Sequence, residues 1–277
     1  MTVLIIGGTG KTGLQLAHLL TKARYPVLLT SRSGDVPEPY RGVKFDWLDS
    51  TTFGNPFEVE GIDRVYLVGP PVLDALPPAK KFIDLAVLKG VKRFVLLSAT
   101  LFDRGGPVLG KVHEYLVELG VDYCVLRPTW FMDNFGSVYR TEIRDEGTIV
   151  TTAKDGRIPF IAADDISKAA FRALIDEKSH NTDHLLVGPG LYSYDEAATL
   201  LGEVLGRGVT HKRISDEDGK KFWMSLGMEE DYAAAMVWME SFAAAGDEEV
   251  HYHAPLKQVG RKSLLEYFQE NRDVWAT

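Results

Sequence analysis

The sequence has 277 residues, of which 45% are hydrophobic and 25% are charged, and this composition is ordinary for a globular protein with a sizeable core. Its net charge of −8 argues against nucleic acid or an anionic membrane surface as a main partner. The single cysteine, Cys124, excludes an intramolecular disulfide and any metal site built from several cysteines.

Neither a membrane span nor a signal peptide is predicted. No apolar run approaches the ~20 residues of a membrane span, and an apolar strand pattern starts at Val3 without a basic region or cleavage site before it. We therefore expect a cytoplasmic enzyme that acts on a small molecule, as a monomer or a homodimer. Cys124 lies in an apolar, strand-like run, which favours a buried structural thiol over a nucleophile.

The first 34 residues predict a βαβ unit that binds a dinucleotide. A strand at Val3–Ile6 leads into glycines at positions 7, 10 and 13, and a helical pattern and a second strand at Val27–Leu29 follow. Glycine permits the dihedrals of such a turn and the close approach of a pyrophosphate, whose charge the helix N-terminus favours. A P-loop would need four residues between its glycines. The expected cofactor contacts here are Gly7, Thr9, Gly10, Lys11, Thr12 and Gly13.

The end of the second strand indicates which dinucleotide is bound. An NAD site places Asp or Glu there to bind the ribose 2′-hydroxyl, whereas this chain has Ser31 and Arg32 and no acid before Asp35. A guanidinium suits a 2′-phosphate, which it can bind bidentately. The sequence therefore predicts NADP(H) as the cofactor, unless Arg32 is only a solvated surface residue.

Three further strand patterns alternate with helical patterns, as expected for a parallel sheet. The strands are predicted at 43–45, 64–68 and 94–97. Ligands lie beyond the carboxyl ends of such strands, so the residues that follow them are candidate cofactor contacts. For Trp47, ordinary packing is an equally good explanation. These candidates are Asp46, Trp47, Gly69, Pro70, Pro71 and Ser98.

A sixth strand is predicted at 122–126, and an aromatic segment follows it. Large apolar side chains beside an acid and an amide, at the carboxyl end of a strand, are typical of a pocket for a flat substrate. A hydrophobic plug that joins sheet and lobe is the alternative. The candidate substrate-binding residues are Trp130, Phe131, Met132, Asp133, Asn134 and Phe135.

Beyond Gly147 the pattern changes to short strands and several helices. We expect an α/β fold, with a Rossmann-type doubly wound parallel sheet over residues 1–147 as the NADP-binding core. Residues 148–277 are predicted to form a smaller, mostly helical C-terminal lobe that binds substrate and returns strands to the sheet.

The usual catalytic pair of short-chain dehydrogenases, Tyr-x-x-x-Lys, is absent from the helix after the fifth strand, where Leu119 follows Tyr115 by four residues. Lys111, His113 and Ser98 are the remaining candidates for a catalytic role, although His113 also fits a solvent-facing helix residue. No metal-ligand spacing stands out, so no metal is predicted.

The residues resemble the NmrA-like branch of the atypical short-chain dehydrogenases, and within it the fungal ergot-alkaloid dehydrogenases. The run Pro128–Phe135 is far more specific than the glycine motif, and the matching segments span nearly the whole chain. One departure is Asp133, where glutamate is expected in relatives. The segments that carry the resemblance are 7–13, 31–32, 44–49, 65–71, 90–98, 126–135, 179–183 and 232–233.

This resemblance implies that NADPH reduces a cyclic iminium, formed when an amine condenses with an aldehyde in a tricyclic indole. An iminium is already cationic, so the hydride neutralises it and no proton donor is needed. Trp130, Phe131 and Phe135 would stack on the substrate, and Asp133 would hold its ammonium group before ring closure. Two alternatives stay open, a redox-silent NADP(H)-binding regulator and an isomerase or cyclase that keeps the cofactor as scaffold.

Overall fold

Buried apolar runs form the strands of the structure, a computed structural model that describes residues 1–276. Val3, Leu4 and Ile5 have no exposed surface, as expected for a parallel strand that is covered on both faces. The strands are β1 (Thr2–Ile5), β2 (Val27–Ser31), β3 (Arg41–Lys44), β4 (Ile62–Val68), β5 (Arg93–Leu97), β6 (Asp122–Pro128), β7 (Thr148–Thr151), β8 (Arg157–Ile158), β9 (Thr182–Val187), β10 (Tyr192–Ser193), β11 (Thr210–Arg213) and β12 (Gln258–Val259).

The helices follow apolar stripes with a period of about 3.6 residues. Short 3₁₀ helices cover Ser50–Glu58, Met132–Asn134 and Arg272–Trp275. The α-helices are α1 (Lys11–Lys22), α2 (Leu76–Leu88), α3 (Leu109–Glu118), α4 (Arg140–Glu146), α5 (Ala163–Ile175), α6 (Tyr194–Leu205), α7 (Asp216–Ser225), α8 (Glu230–Ala245), α9 (Asp247–His253) and α10 (Leu264–Glu270). Within residues 1–276, no helix has the length and apolar character that crossing a membrane requires.

The main sheet has eight strands in the order β12-β9-β6-β5-β4-β1-β2-β3. The pairs β1–β2, β1–β4, β2–β3, β4–β5 and β5–β6 are all parallel. The order 3-2-1-4-5-6 is that of a dinucleotide-binding Rossmann sheet, whose switch point lies between β1 and β4. The predicted doubly wound α/β fold is thereby confirmed.

The chain divides into two compact units. The first comprises Met1–Arg127 and Ile166–His184, and the second comprises Pro128–Asp165 and the chain from Leu185 onward. This division differs from the single boundary predicted after residue 147. The sequence pattern could not show that one segment in the middle of the chain returns to the first unit.

Packing explains why residues 128–147 belong to the second unit and why residues 166–184 belong to the first. Phe135, Tyr139 and Ile143 have no exposed surface and belong to the apolar core of the second unit, although they precede residue 147. In the first unit, buried Arg93 donates hydrogen bonds to carbonyl groups of residues 173, 174, 176 and 177. A buried guanidinium needs such acceptors, and the end of helix α5 supplies them.

Local signals set most helix ends in the second unit. Ser193 and Glu196, three residues apart, form a capping box at the start of α6, and Gly206 ends this helix with φ 70°. Helix α10 ends at Asn271, whose side-chain amide donates to the Tyr267 carbonyl at 2.8 Å. Such a side-chain bond competes with the helical ladder.

Candidate functional site

Backbone conformation and steric contact explain three of the four glycines between residues 7 and 13. Gly7 has φ +74°, which a side chain resists. A Cβ on Gly13 would lie 2.4 Å from the Gly7 carbonyl oxygen, and one on Gly8 would lie 2.6 Å from Leu29 Cβ. The turn therefore brings helix and strand together more closely than any side chain allows.

Hydrogen bonds hold this turn in place within the first unit. The Gly7 N–H donates to Thr30 Oγ1 at 3.2 Å, and the Gly8 N–H donates to the Thr30 carbonyl at 3.1 Å. The Tyr66 hydroxyl donates to Thr12 Oγ1 at 2.9 Å. The Thr12 hydroxyl is thus engaged inside the protein, which leaves the exposed residues Thr9, Gly10 and Lys11 at the open side of the turn.

The N-terminus of α1 is arranged as an anion site. Gly10 occupies the N-cap, no side chain caps the helix, and the first turn contains no acidic residue. Backbone N–H groups and the helix dipole at this terminus favour an anion, and the first turn holds no carboxylate that would oppose one.

The residues after β2 suit a 2′-phosphate. Arg32 is exposed, and the Ser31 hydroxyl accepts a hydrogen bond from the Gly34 N–H at 2.9 Å. This bond holds the turn that presents Arg32 to solvent. No carboxylate follows β2 before Asp35, which is itself exposed, so the ribose-binding acid of NAD sites is missing here.

Trp47 is part of an aromatic cluster. Its ring packs edge-on against Phe45 and Phe53, and its Nε1–H donates to the Val68 carbonyl at 3.1 Å. These contacts hold the half-buried Trp47 ring in place, which agrees with the alternative prediction of ordinary packing. The neighbouring Asp46 accepts the Leu48 N–H at 2.9 Å and shapes the loop locally.

After β4, Gly69 lets the Leu109 side chain approach the backbone closely. After β5, Ser98 carries a buried hydroxyl without a hydrogen-bond partner among residues 1–276. A Cβ on Gly69 would lie 2.4 Å from Leu109 Cδ2, and Pro70 is buried while Pro71 is exposed. Ser98 is 7% exposed, and its Oγ has no hydrogen-bond partner among residues 1–276. A buried hydroxyl without a partner is costly, so Ser98 is well suited to bind a ligand group.

Helix α3 carries the other two catalytic candidates in different environments. Lys111 lies exposed in the first turn. His113 is only 2% exposed, and its ring lies 5.9 Å from that of Tyr123. The alternative prediction, that His113 is a solvent-facing helix residue, is therefore wrong. Burial lowers the pKa of His113, which favours the neutral imidazole at neutral pH.

Taken together, the first unit presents an uncapped helix terminus, an exposed arginine after β2 and an unpaired hydroxyl after β5. These are the groups that would receive a pyrophosphate, a 2′-phosphate and a polar edge of a nicotinamide nucleotide. The residues present therefore fit NADP(H).

The aromatic segment 130–135 belongs to the second unit and divides into two sets. Met132 and Phe135 are 1% and 0% exposed. The Phe135 ring packs against Phe160 and Phe268 at centroid distances of 5.1 and 5.2 Å. These two side chains have no surface to offer to a ligand, so their predicted pocket role does not agree with their burial.

The half-buried residues of this segment are Trp130, Phe131, Asp133 and Asn134. Asp133 has a structural function, because its Oδ2 accepts the Ala163 N–H at 2.8 Å at the start of α5. A carboxylate in that position stabilises a helix N-terminus. Trp130 and Phe131 therefore remain as the stronger candidates for contact with an aromatic substrate.

Sequence reasoning missed one group in the first unit. Cys124, His180 and His184 place a sulfur and two imidazole nitrogens within 4.8 Å of one another. The spacing His-x₃-His at 180–184 is a signal for such a group, since zinc ligands often have it.

Replacing Gly13 by alanine tests the glycine turn. Because the new Cβ would meet the Gly7 carbonyl oxygen at 2.4 Å, α1 has to move away from the turn. We expect the affinity for NADPH to fall by at least about tenfold, as measured by quenching of protein fluorescence. The matched control is Gly54→Ala, where a Cβ meets nothing within 4 Å. Equal NADPH affinity in the two variants would contradict the role of this close approach.

Comparison with known proteins shows relatives over the full length of the chain. The profile of the NmrA-like family matches residues 58–274. An agroclavine dehydrogenase of Claviceps fusiformis is 42% identical over 99% of both chains. Festuclavine synthase II of Penicillium roqueforti is 40% identical over the full length of both.

A solved structure shares the fold. The triphenylmethane reductase of a Citrobacter species, in complex with NADP(H), has a TM-score of 0.75 and 20% identity, covering 98% of this chain and 99% of that one. At this identity the similarity establishes the fold alone. The family profile and the two fungal relatives, by contrast, cover most or all of the sequence, and the chain therefore belongs to the NmrA-like family.

Proposed function

We propose that this protein is an NADPH-dependent reductase that transfers hydride to a cyclic iminium, or a related C=N or C=O group, of an indole alkaloid intermediate. The observation that carries the proposal is the uncapped, acid-free N-terminus of α1 together with exposed Arg32 after β2. The names of the relatives, agroclavine dehydrogenase and festuclavine synthase, support the substrate class.

The side chains of the first unit would mainly bind and orient the cofactor. The helix terminus would hold the pyrophosphate, Arg32 the 2′-phosphate, and Ser98 a polar group of the nicotinamide half. When bound, NADPH supplies a hydride, that is, one hydrogen with two electrons. Its orientation by fixed protein groups would supply most of the rate enhancement.

An iminium substrate agrees with the absence of a clear proton donor. Reduction of a carbonyl places negative charge on oxygen, which an acid must neutralise. In an iminium the C=N π pair becomes the nitrogen lone pair as the hydride bonds to carbon, and no proton is needed. Buried His113, whose pKa is lowered by burial, is a poor proton donor at neutral pH, which supports the iminium over a carbonyl.

In the second unit, Trp130 and Phe131 are the proposed substrate contacts. Both are half-buried, so each ring keeps a surface that an indole or a cation can cover. Asp133 is the weaker candidate, because its carboxylate accepts the Ala163 N–H.

Replacing Arg32 by aspartate tests the choice of cofactor. The substitution removes the partner of the 2′-phosphate and adds a repelling charge, so we expect the NADPH/NADH ratio of kcat/KM to fall by at least about 100-fold. Arg24→Asp makes the same charge change at another exposed position of the first unit and should leave the ratio unchanged. Retained preference for NADPH in the Arg32 variant would refute the assignment.

Substitutions at Lys111, His113 and Trp130 distinguish catalysis by alignment of substrate and cofactor from catalysis by a general acid. In an assay that follows NADPH absorbance with cyclic indole iminium salts, we expect Lys111→Ala and His113→Gln to keep kcat near the starting value. Trp130→Ala should lose about tenfold or more in kcat/KM, because its ring no longer stacks on the substrate.

The control for Trp130 is Trp238→Ala, since Trp238 is 43% exposed in the same unit. A loss of about 100-fold in kcat for the Lys111 or His113 variant, with activity falling as pH rises, would identify a general acid instead. NADPH binding without oxidation of NADPH by any iminium tested would favour a redox-silent protein.

A further inference from the structure

A second cluster of reactive side chains lies in the first unit, apart from the residues assigned to the cofactor. Cys124 is in the amino-terminal half of β6, His180 follows helix α5, and His184 is in β9. The cofactor residues follow the carboxyl ends of their strands, so this cluster belongs to a different part of the sheet. The proposed function does not use it.

The geometry is close to that of metal ligands. Cys124 Sγ lies 3.8 Å from His180 Nδ1, and His180 Nδ1 lies 2.9 Å from His184 Nε2. A tetrahedral Zn²⁺ separates a sulfur from a nitrogen ligand by about 3.6 Å and two nitrogens by about 3.3 Å. Shifts of a few tenths of an ångström, within the reach of a ring rotation, would bring all three atoms to bonding distance.

The second ring nitrogen of His180 is held by a carboxylate. His180 Nε2 lies 3.0 Å from Asp176 Oδ2, at hydrogen-bond distance. A proton shared with the carboxylate on this nitrogen leaves the lone pair of Nδ1 directed at the cluster. Metal-binding histidines have this carboxylate–imidazole arrangement, which fixes the tautomer and raises the basicity of the ligand nitrogen.

The backbone also holds His180 beside Cys124. Asn181, next to His180, has φ 46°, a conformation that asparagine tolerates. Its N–H donates to the Tyr123 carbonyl at 2.8 Å, and its Oδ1 accepts the Tyr123 N–H at 3.0 Å. Since Tyr123 precedes Cys124, this double contact aligns the two candidate ligands before any ion binds.

We propose that Cys124, His180 and His184 bind one Zn²⁺ ion, with water as the fourth ligand. Borderline Zn²⁺ accepts imidazole nitrogen and thiolate sulfur together. The S–H bond of Cys124 breaks as the S–Zn bond forms, its proton passes to solvent, and both histidines bind as neutral imidazoles. Because His180 is 22% exposed, water can reach the fourth position.

The charges around the cluster are mixed. Asp176 and Asp183 favour a cation, while the positive charges of Arg93 and Arg172, which act on Cys124 and His184, oppose one. Arg127 binds Asp183 at 2.9 Å and offsets part of its charge. Binding of the ion would therefore depend on its three direct ligands and on Asp176 more than on the summed charge of the surrounding residues.

An ion at this position would connect β6 to the turn after α5 and to β9. Because it binds the folded arrangement and not the unfolded chain, it should raise the Tm. A pair of histidines that only share a proton is the competing explanation for the 2.9 Å contact. That pair would bind no metal, so metal binding separates the two.

The test uses the full, tag-free chain with NADPH bound, after chelator treatment and dialysis. Calorimetric titration with ZnSO₄ should give one site per chain, and Co²⁺ should produce a sulfur-to-metal charge-transfer band. Cys124→Ser and His184→Asn should each weaken Zn²⁺ binding by at least about tenfold, and Cys124→Ser should remove the band.

Asp176→Asn keeps the proposal testable if a buried substitution disturbs folding. Its side chain is 48% exposed, and we expect Zn²⁺ affinity to fall by about 10–100-fold with the charge-transfer band retained. His18→Asn, an exposed histidine on α1, should behave as the unsubstituted chain does. Absence of Zn²⁺ binding, or binding that Cys124→Ser and Asp176→Asn leave unchanged, would overturn the proposal, and neither result depends on reductase activity.

Discussion

The approach of helix α1 to the turn before it is the constraint on which the cofactor platform depends. A Cβ on Gly13 would lie 2.4 Å from the Gly7 carbonyl oxygen, so only glycine allows this packing. The helix then begins at Lys11 without a side-chain cap or an acidic first turn. Its N–H groups and dipole favour an anion. Arg32 follows β2, the neighbour of β1 on one side, and Ser98 follows β5, which lies beyond β4 on the other side.

The proposed chemistry follows from the lack of the usual catalytic acid beside the cofactor-binding residues. An enzyme that reduces a carbonyl must protonate an oxygen, and the usual Tyr-x-x-x-Lys pair is missing from this chain. Burial lowers the pKa of His113 and so favours its neutral form, and Lys111 is exposed on the first turn of α3. A substrate that already carries positive charge removes the need for an acid and leaves binding and alignment as the main tasks.

Strands and turns could be predicted from the sequence because their causes are local. Apolar runs such as Val3–Ile6 are buried on both faces, and Ser193 and Glu196, at the spacing of a capping box, cap α6. The substrate segment was harder, since an aromatic run looks the same whether it lines a pocket or fills a core. The burial of Phe135 depends on rings of residues 160 and 268 that come later in the chain, and Met132 is buried in the same core.

Polar partners that are distant in sequence escaped prediction for the same reason. Asp133 binds the Ala163 N–H, 30 residues further on, and Cys124 meets His180 across 56 residues. Glu240 lies in a stripe of aromatic residues, methionine and alanine, and it is buried where the Thr152 N–H donates to its carboxylate at 2.8 Å and the Thr152 and Tyr139 hydroxyls also donate to it. Such pairs arise from the tertiary fold, and the local sequence gives at most a partial signal of them, such as the His-x₃-His spacing at 180–184.

The most direct measurement of the central claim is the fate of a labelled hydride. With NADPH that carries deuterium at both C4 positions of the nicotinamide, reaction with a cyclic indole iminium should place one deuterium on the carbon next to nitrogen. One NADP⁺ should form for each product molecule. Product without deuterium, or product formed without consumption of NADPH, would contradict hydride transfer and would instead indicate an isomerase or cyclase.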